Sequence, residues 1–257
     1  PRLGDNEEWP DLAAATAEYD RPEHYQNPGS FFPEPGAAAP QLTEVRPLGI
    51  TGRVFDARWP SCAPFSRNMP ATPPSTVESH QGAARLFLHR EPPRAAAMLI
   101  HGYLGGRYLV EEQVWPVRAL YQRGVDVALF TLPFHGVRKA AGARGAPGFP
   151  SADPRVTNEG VRQAIFDLRG LMRFFHARGT PRVGAMGMSL GGYTTALLAT
   201  LEPALAFAVP VVPLADLTEF ARGHVPDPAP LEAVRASHAE RVRAHRVVSP
   251  FARPSVI

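Results

Sequence analysis

Gly187-Met188-Ser189-Leu190-Gly191-Gly192 follows directly on the apolar stretch from Val183 to Met186 and leads into a helix-forming stretch from Tyr193 to Leu201. The order is strand, sharp turn, helix, with a serine at the turn. A strand that reverses this tightly holds the serine in strained backbone geometry, and glycines flank it because larger neighbours would collide. Ser189 is thereby presented outward, as a nucleophile must be. With ten serines and 22 glycines in 257 residues, roughly 0.07 such Gly-x-Ser-x-Gly matches are expected by chance, so the motif carries weight even before its context is counted.

A chain of 257 residues with 44% hydrophobic content is long enough for one large α/β domain. No run approaches the 18 or more apolar residues of a membrane span. The first residues, Pro1-Arg2-Leu3-Gly4-Asp5, are polar and unlike a signal peptide, although a chain that starts without Met leaves a removed leader open. Cys62 stands alone, which excludes an internal disulfide and a multi-cysteine metal site and fits a reducing, cytoplasmic setting. The net charge of +3 and the pI near 9.4 do not point to nucleic acid, because 24 acidic residues are interspersed with the 27 basic ones. Lys139 is the only lysine among those basic residues, a skew read as coding bias.

Seven of the 29 prolines lie in the first 40 positions. Residues 1–48 therefore read as an extended arm lying across the domain, anchored by Trp9, Tyr19, Tyr25, Phe31 and Phe32. From residue 49 to 212 the pattern is that of a sheet core. Strands are expected at Gly52 to Trp59, Ala84 to His89 and Ala95 to His101, the last continuously apolar and so buried on both faces. Val110 to Arg123 reads as a helix that Pro116 either kinks or delays, and Val125 to Thr131 as the next strand. After a Gly- and Pro-rich loop comes a helix from Asn158 to Arg178, capped by Thr157 or Asn158. Strand Arg182 to Met186, helix Leu190 to Leu201 and strand Leu205 to Val212 complete an alternation that predicts an α/β fold: a mostly parallel sheet flanked by helices. Residues 213–257 are expected to form a partial cap and linker.

Serine chemistry needs a base, an acid that orients it, and donors for the developing oxyanion. The N–H of Leu190, at a helix N-terminus, supplies one donor. The loop after the central strand reads His101-Gly102-Tyr103-Leu104-Gly105-Gly106. Together with the Ser189 turn, about 85 residues away, it resembles the α/β-hydrolase superfamily, whose members carry a His-Gly-x loop after one central strand and the nucleophile turn after a later one. By that resemblance the second oxyanion donor is the N–H of Tyr103, with Leu104 as its nearest competitor. Leu132-Pro133-Phe134-His135-Gly136 is similar to the family's Pro-x-His-Gly turn, with Thr131 in place of its usual preceding Asp. The resemblance assigns His135 to shaping that loop, and His101 reads as loop-ordering in the same way.

The resemblance covers about Gly52 to Val212 and implies a serine carboxylic-ester hydrolase, esterase- or lipase-like, that works through an acyl-enzyme without metal or organic cofactor. Its substrate would be a small-molecule or lipid-like ester. The family's order is serine, acid, histidine, with the last two after further strands, and only one strand is expected beyond Ser189. In-chain candidates are Asp216, which reads more readily as the cap of a helix opening at Leu217, and His224, His238 and His245 on a polar, Arg-rich segment. The acid and histidine are therefore expected from a C-terminal segment or second chain that completes the sheet. The same parts would serve an acyltransferase or thioesterase, and a non-catalytic binding or regulatory protein could keep the fold alone.

Overall fold

Apolar residues of one strand point to both sides of the molecule in β4 (Ala95–Ile100). Ala96, Met98 and Ile100 belong to one layer of the core and Ala97 and Leu99 to the other, none more than 1% exposed. Such two-sided burial is what a central strand of an α/β sheet requires. The computed structural model describes residues 11–36, 39–67, 69, 80–140, 145, 147–151, 153–214, 216–218, 231–253 and 256.

The remaining strands are β1 (Gln41–Leu48), β2 (Gly52–Pro60), β3 (Gln81–His89), β5 (Val125–Phe130), β6 (Arg182–Met188) and β7 (Ala208–Val211). Their order in the seven-stranded sheet is β1-β2-β3-β5-β4-β6-β7. Pairing is antiparallel from β1 to β2, β2 to β3 and β3 to β5, and parallel from β5 through β4 and β6 to β7. Consequently β2, β4, β5, β6 and β7 run in one direction. The chain steps from β4 to β5 on one side, then crosses to β6 on the other, so the order reverses at β4. A crevice at the carboxyl ends of the strands is expected at such a reversal.

Helices α3 (Tyr108–Val114) and α4 (Val117–Gln122) replace the single helix expected over Val110 to Arg123. Proline 116 has no N–H to continue the first helix, and Trp115 takes extended backbone there. Helix α5 (Pro154–Ala177) starts four residues before the expected Asn158. Its cap is Asp153, which accepts from the Arg155 N–H at 2.9 Å, and Pro154 supplies the first helical φ at no cost in hydrogen bonding. Helix α6 (Leu190–Leu201) matches the expectation, whereas β7 is shorter than Leu205 to Val212 because Leu205 closes a turn onto Glu202 instead.

The N-terminal arm is more structured than an extended segment. It holds α1 (Leu12–Tyr19), α2 (Pro22–Gln26) and the edge strand β1, and Tyr19, Phe31 and Phe32 are fully buried in the main core beside α5. Trp9 lies outside the described residues. A last helix, α7 (Leu231–His245), packs on α1 and α5, with Ala244, Val247 and Val248 in the core. That part of the expected cap thus belongs to the helical layer under the sheet; its apolar residues anchor it there. Among the described residues no helix is long and apolar enough to cross a membrane.

Candidate functional site

Ser189 stands between β6 and α6 with φ 53° and ψ −113°, a left-handed backbone conformation that a non-glycine residue adopts only under constraint. The constraint is visible. Its N–H donates to Val211 O at 3.0 Å, and its carbonyl accepts from Tyr193 N–H at 2.9 Å and Leu214 N–H at 3.0 Å. The flanking glycines are required by close backbone approach. A Cβ on Gly187 would lie 2.0 Å from Gly191 O, and one on Gly191 would lie 2.0 Å from Ile100 O. The side chain of Ser189 is partly exposed at the carboxyl ends of the strands.

The loop after β4 runs directly beside it, since a Cβ built on Gly102 would stand 3.5 Å from Ser189 Cβ. His101 is buried and orders this loop. Its Nε2 accepts from the Leu132 N–H at 3.1 Å, which fixes the tautomer, so Nδ1–H donates to Gly102 O at 2.7 Å. Gly105 N–H donates to the same oxygen at 3.0 Å. Because a trans peptide sets its C=O and N–H in opposite directions, the Tyr103 N–H points away from the His101 ring. At the start of α6 the Leu190 N–H is one of the donors that no helical carbonyl can reach, and Leu190 itself is 1% exposed.

His135 is fully buried, with Nε2 2.5 Å from Tyr103 O and Nδ1 2.8 Å from Pro133 O. Burial pushes its pKa down to about 4 against the pull of these two carbonyls. Both ring nitrogens are thus turned onto backbone. The preceding Phe134 also has a positive φ, 61°. Thr131, in the position where the resemblance expects Asp, donates through Oγ1 to the Tyr108 hydroxyl at 3.1 Å.

The acid and base candidates are dispersed. Asp216 accepts from the Thr218 N–H at 2.7 Å, as a helix-opening residue does. His245 is buried instead of facing solvent, donating through Nδ1 to Arg241 O at 2.9 Å. His238 is partly exposed on α7, and His224 lies outside the described residues. Among the described residues no histidine is hydrogen-bonded to Ser189.

Two features escaped the sequence reading. Glu111, buried on α3, accepts from the Gly106 N–H at 2.8 Å and from Trp115 Nε1 at 3.1 Å, tying the far end of the 101–106 loop to the helix that follows. An acidic residue one turn into a helix after a Gly-Gly loop is the signal that could have shown it. Beneath the His135 turn, Arg138 and Asp167 form a fully buried ion pair at 2.8 Å, and Arg138 Nη1 also donates to Thr131 O at 3.0 Å. A cavity of about 540 Å³ opens along α6 and β7, bordered by Tyr193, Ala196, Pro210, Pro213, Leu214 and Phe251, and Ser189 is not part of its lining.

No protein-family model matches the chain. It is 30% identical over 227 residues to the uncharacterized protein Rv2627c of Mycobacterium tuberculosis (strain H37Rv), an alignment covering 83% of this chain and 52% of that one. The chain thus spans about half the length of the curated relatives it matches. Among solved structures it is similar to acetyl xylan esterase 1 from Thermoanaerobacterium sp. JW/SL YS485, with a TM-score of 0.56 and 15% identity over 92% of this chain and 78% of that one. The acetyl xylan esterase from Paenibacillus sp. R4 is similar at a TM-score of 0.55 and 16% identity, covering 93% and 78%.

Proposed function

We propose that this chain, which has the α/β-hydrolase fold, is the nucleophile-bearing part of a serine hydrolase that cleaves carboxylic esters. The observation that carries the reading is the strained, backbone-clamped Ser189 set beside the Gly102–Tyr103 loop. Such strain costs about 1–3 kcal/mol and has no packing use of its own. That both structural neighbours are esterases supports an ester as the substrate class.

In this reading Ser189 Oγ attacks the ester carbonyl, the Tyr103 and Leu190 N–H groups stabilise the tetrahedral oxyanion, the alcohol departs with the serine proton delivered by a histidine, and water then releases the acid. The histidine and its orienting acid are assigned to a segment that completes the sheet beyond β7. Among the described residues no strand pairs with the outer edge of β7, which supports this. Phe207 O and Val211 O face β6, so alternation turns Ala208, Pro210 and Val212 outward, and an added strand would find no donor at Pro210.

The test is labelling of the complete natural protein by a fluorophosphonate probe, together with turnover of p-nitrophenyl esters. Both should be lost in Ser189→Ala. A non-catalytic protein of the same fold would leave Ser189 unlabelled.

A further inference from the structure

The backbone that clamps Ser189 also presents an apolar side chain to solvent beside it. Val211 O accepts from the Ser189 N–H and Leu214 N–H donates to Ser189 O, each at 3.0 Å. Val212 lies between these two anchors with φ 40°. That conformation is unfavourable three times over: the residue is not glycine, it is β-branched, and it precedes a proline. It persists because both flanks are fixed to the nucleophile's own peptide groups. Yet the isopropyl group is 80% exposed and contributes nothing to the core. On the opposite flank Leu104, two residues beyond the Gly102 that abuts Ser189, is 76% exposed. Val212 and Leu104 are thus two exposed aliphatic residues, each on a loop that touches the serine's backbone or its Cβ.

We propose that Val212 is a specificity-determining residue whose side chain packs on the acyl group of the ester, and that the enzyme takes aliphatic acyl chains longer than acetyl. The proposal rests on the reading of Ser189 as nucleophile. In the Michaelis complex the carbonyl carbon must lie about 3 Å from Oγ, which brings the acyl carbons that follow it toward the two loops that carry Val212 and Leu104. Desolvation of the exposed Val212 and Leu104 side chains then favours substrates that can cover them.

Asparagine adopts positive φ more readily than valine, so Val212→Asn keeps the fold while replacing the apolar wall by a polar one. The complete natural protein and this variant are compared on p-nitrophenyl acetate and p-nitrophenyl octanoate. The ratio of kcat/KM for octanoate over acetate should fall about tenfold in Val212→Asn, with the melting temperature equal or higher. A purely structural role would move the melting temperature and leave the ratio alone, and that outcome overturns the proposal. So does a natural protein that prefers acetate, whereas one that turns over neither ester removes the hydrolase reading beneath it. Ester turnover surviving in Ser189→Ala would instead remove the nucleophile assignment beneath it.

Discussion

The His101 imidazole donates to the carbonyl of Gly102, the residue that follows it, and so aims the peptide group whose N–H belongs to Tyr103. A ring locked as acceptor for Leu132 at Nε2 has only Nδ1–H to give, and it is given to that carbonyl. His101→Ala should therefore leave Ser189 in place while loosening the proposed oxyanion donor. We expect kcat on p-nitrophenyl esters to fall at least about tenfold with KM little changed, since removing an oxyanion donor outright costs about 10²–10³. An unchanged kcat in a folded variant would separate His101 from catalysis.

Close backbone approach and left-handed backbone are different reasons for glycine, and two positions distinguish them. Gly191→Ala would place a Cβ 2.0 Å from Ile100 O, which only displacement of β4 or α6 can relieve. The substitution should cost about 3 kcal/mol or more. Gly124 has φ +74° with nothing within 4 Å of its added Cβ, so Gly124→Ala meets only conformational strain, about 1 kcal/mol. Urea denaturation of the two variants should show that ordering; equal losses would mean that the Ser189 turn relaxes freely.

The Ser189 turn, the apolar central strand and the 101–106 loop were legible in the sequence because each is a local pattern: glycine at a turn, continuous apolar burial, a short spacing. Asp153 was legible in principle but stands behind Thr157 and Asn158, which lie nearer the apolar repeat of α5, and Glu111 is marked only by its place one turn into the helix after a Gly-Gly loop. The burial of His245 was not legible, because an Arg-rich helix with little amphipathic contrast gives no sign of which face meets α1 and α5. Nor was the Arg138–Asp167 pair, whose members lie 29 positions apart and meet only when α5 crosses the sheet. Val212 is a similar case, since its conformation is set by hydrogen bonds to Ser189 and not by its own neighbours in sequence.

Three buried histidines set a lower pH limit for folding. Burial, aided by the neighbouring His135, pushes His101 down to about 3, and burial pushes His135 and His245 down to about 4. Unfolded, all three return to about 6.5. Their folded pKa values are depressed, so between pH ~6 and ~4 the unfolded chain binds about three more protons than the native one, and stability falls as the pH falls. The contribution is complete above about pH 6.5 and declines by about 4 kcal/mol per pH unit through that window. His245→Gln should remove about a third of the slope measured by urea denaturation across pH 4–6. A slope unaltered by the substitution would show that His245 takes up no proton on unfolding.

Arg138 and Asp167 are both 0% exposed and hold the turn that carries His135 against α5. Desolvating two charges consumes most of what their attraction returns, so the pair adds little net stability over a well-packed apolar pair. Breaking it is a different matter, because the surviving charge has no water to turn to. Asp167→Leu and Arg138→Met should each destabilise by about 3–5 kcal/mol, while the double variant should recover a large part of that loss. Burial drives the carboxyl of Asp167 upward in pKa, with Arg138 opposing it. Asp167→Asn, which stays polar and gives up its charge, should therefore fall between the single apolar variants and the natural protein. Urea denaturation at pH 7 gives all four values, and strictly additive losses in the double variant would show that the two side chains do not act as a pair.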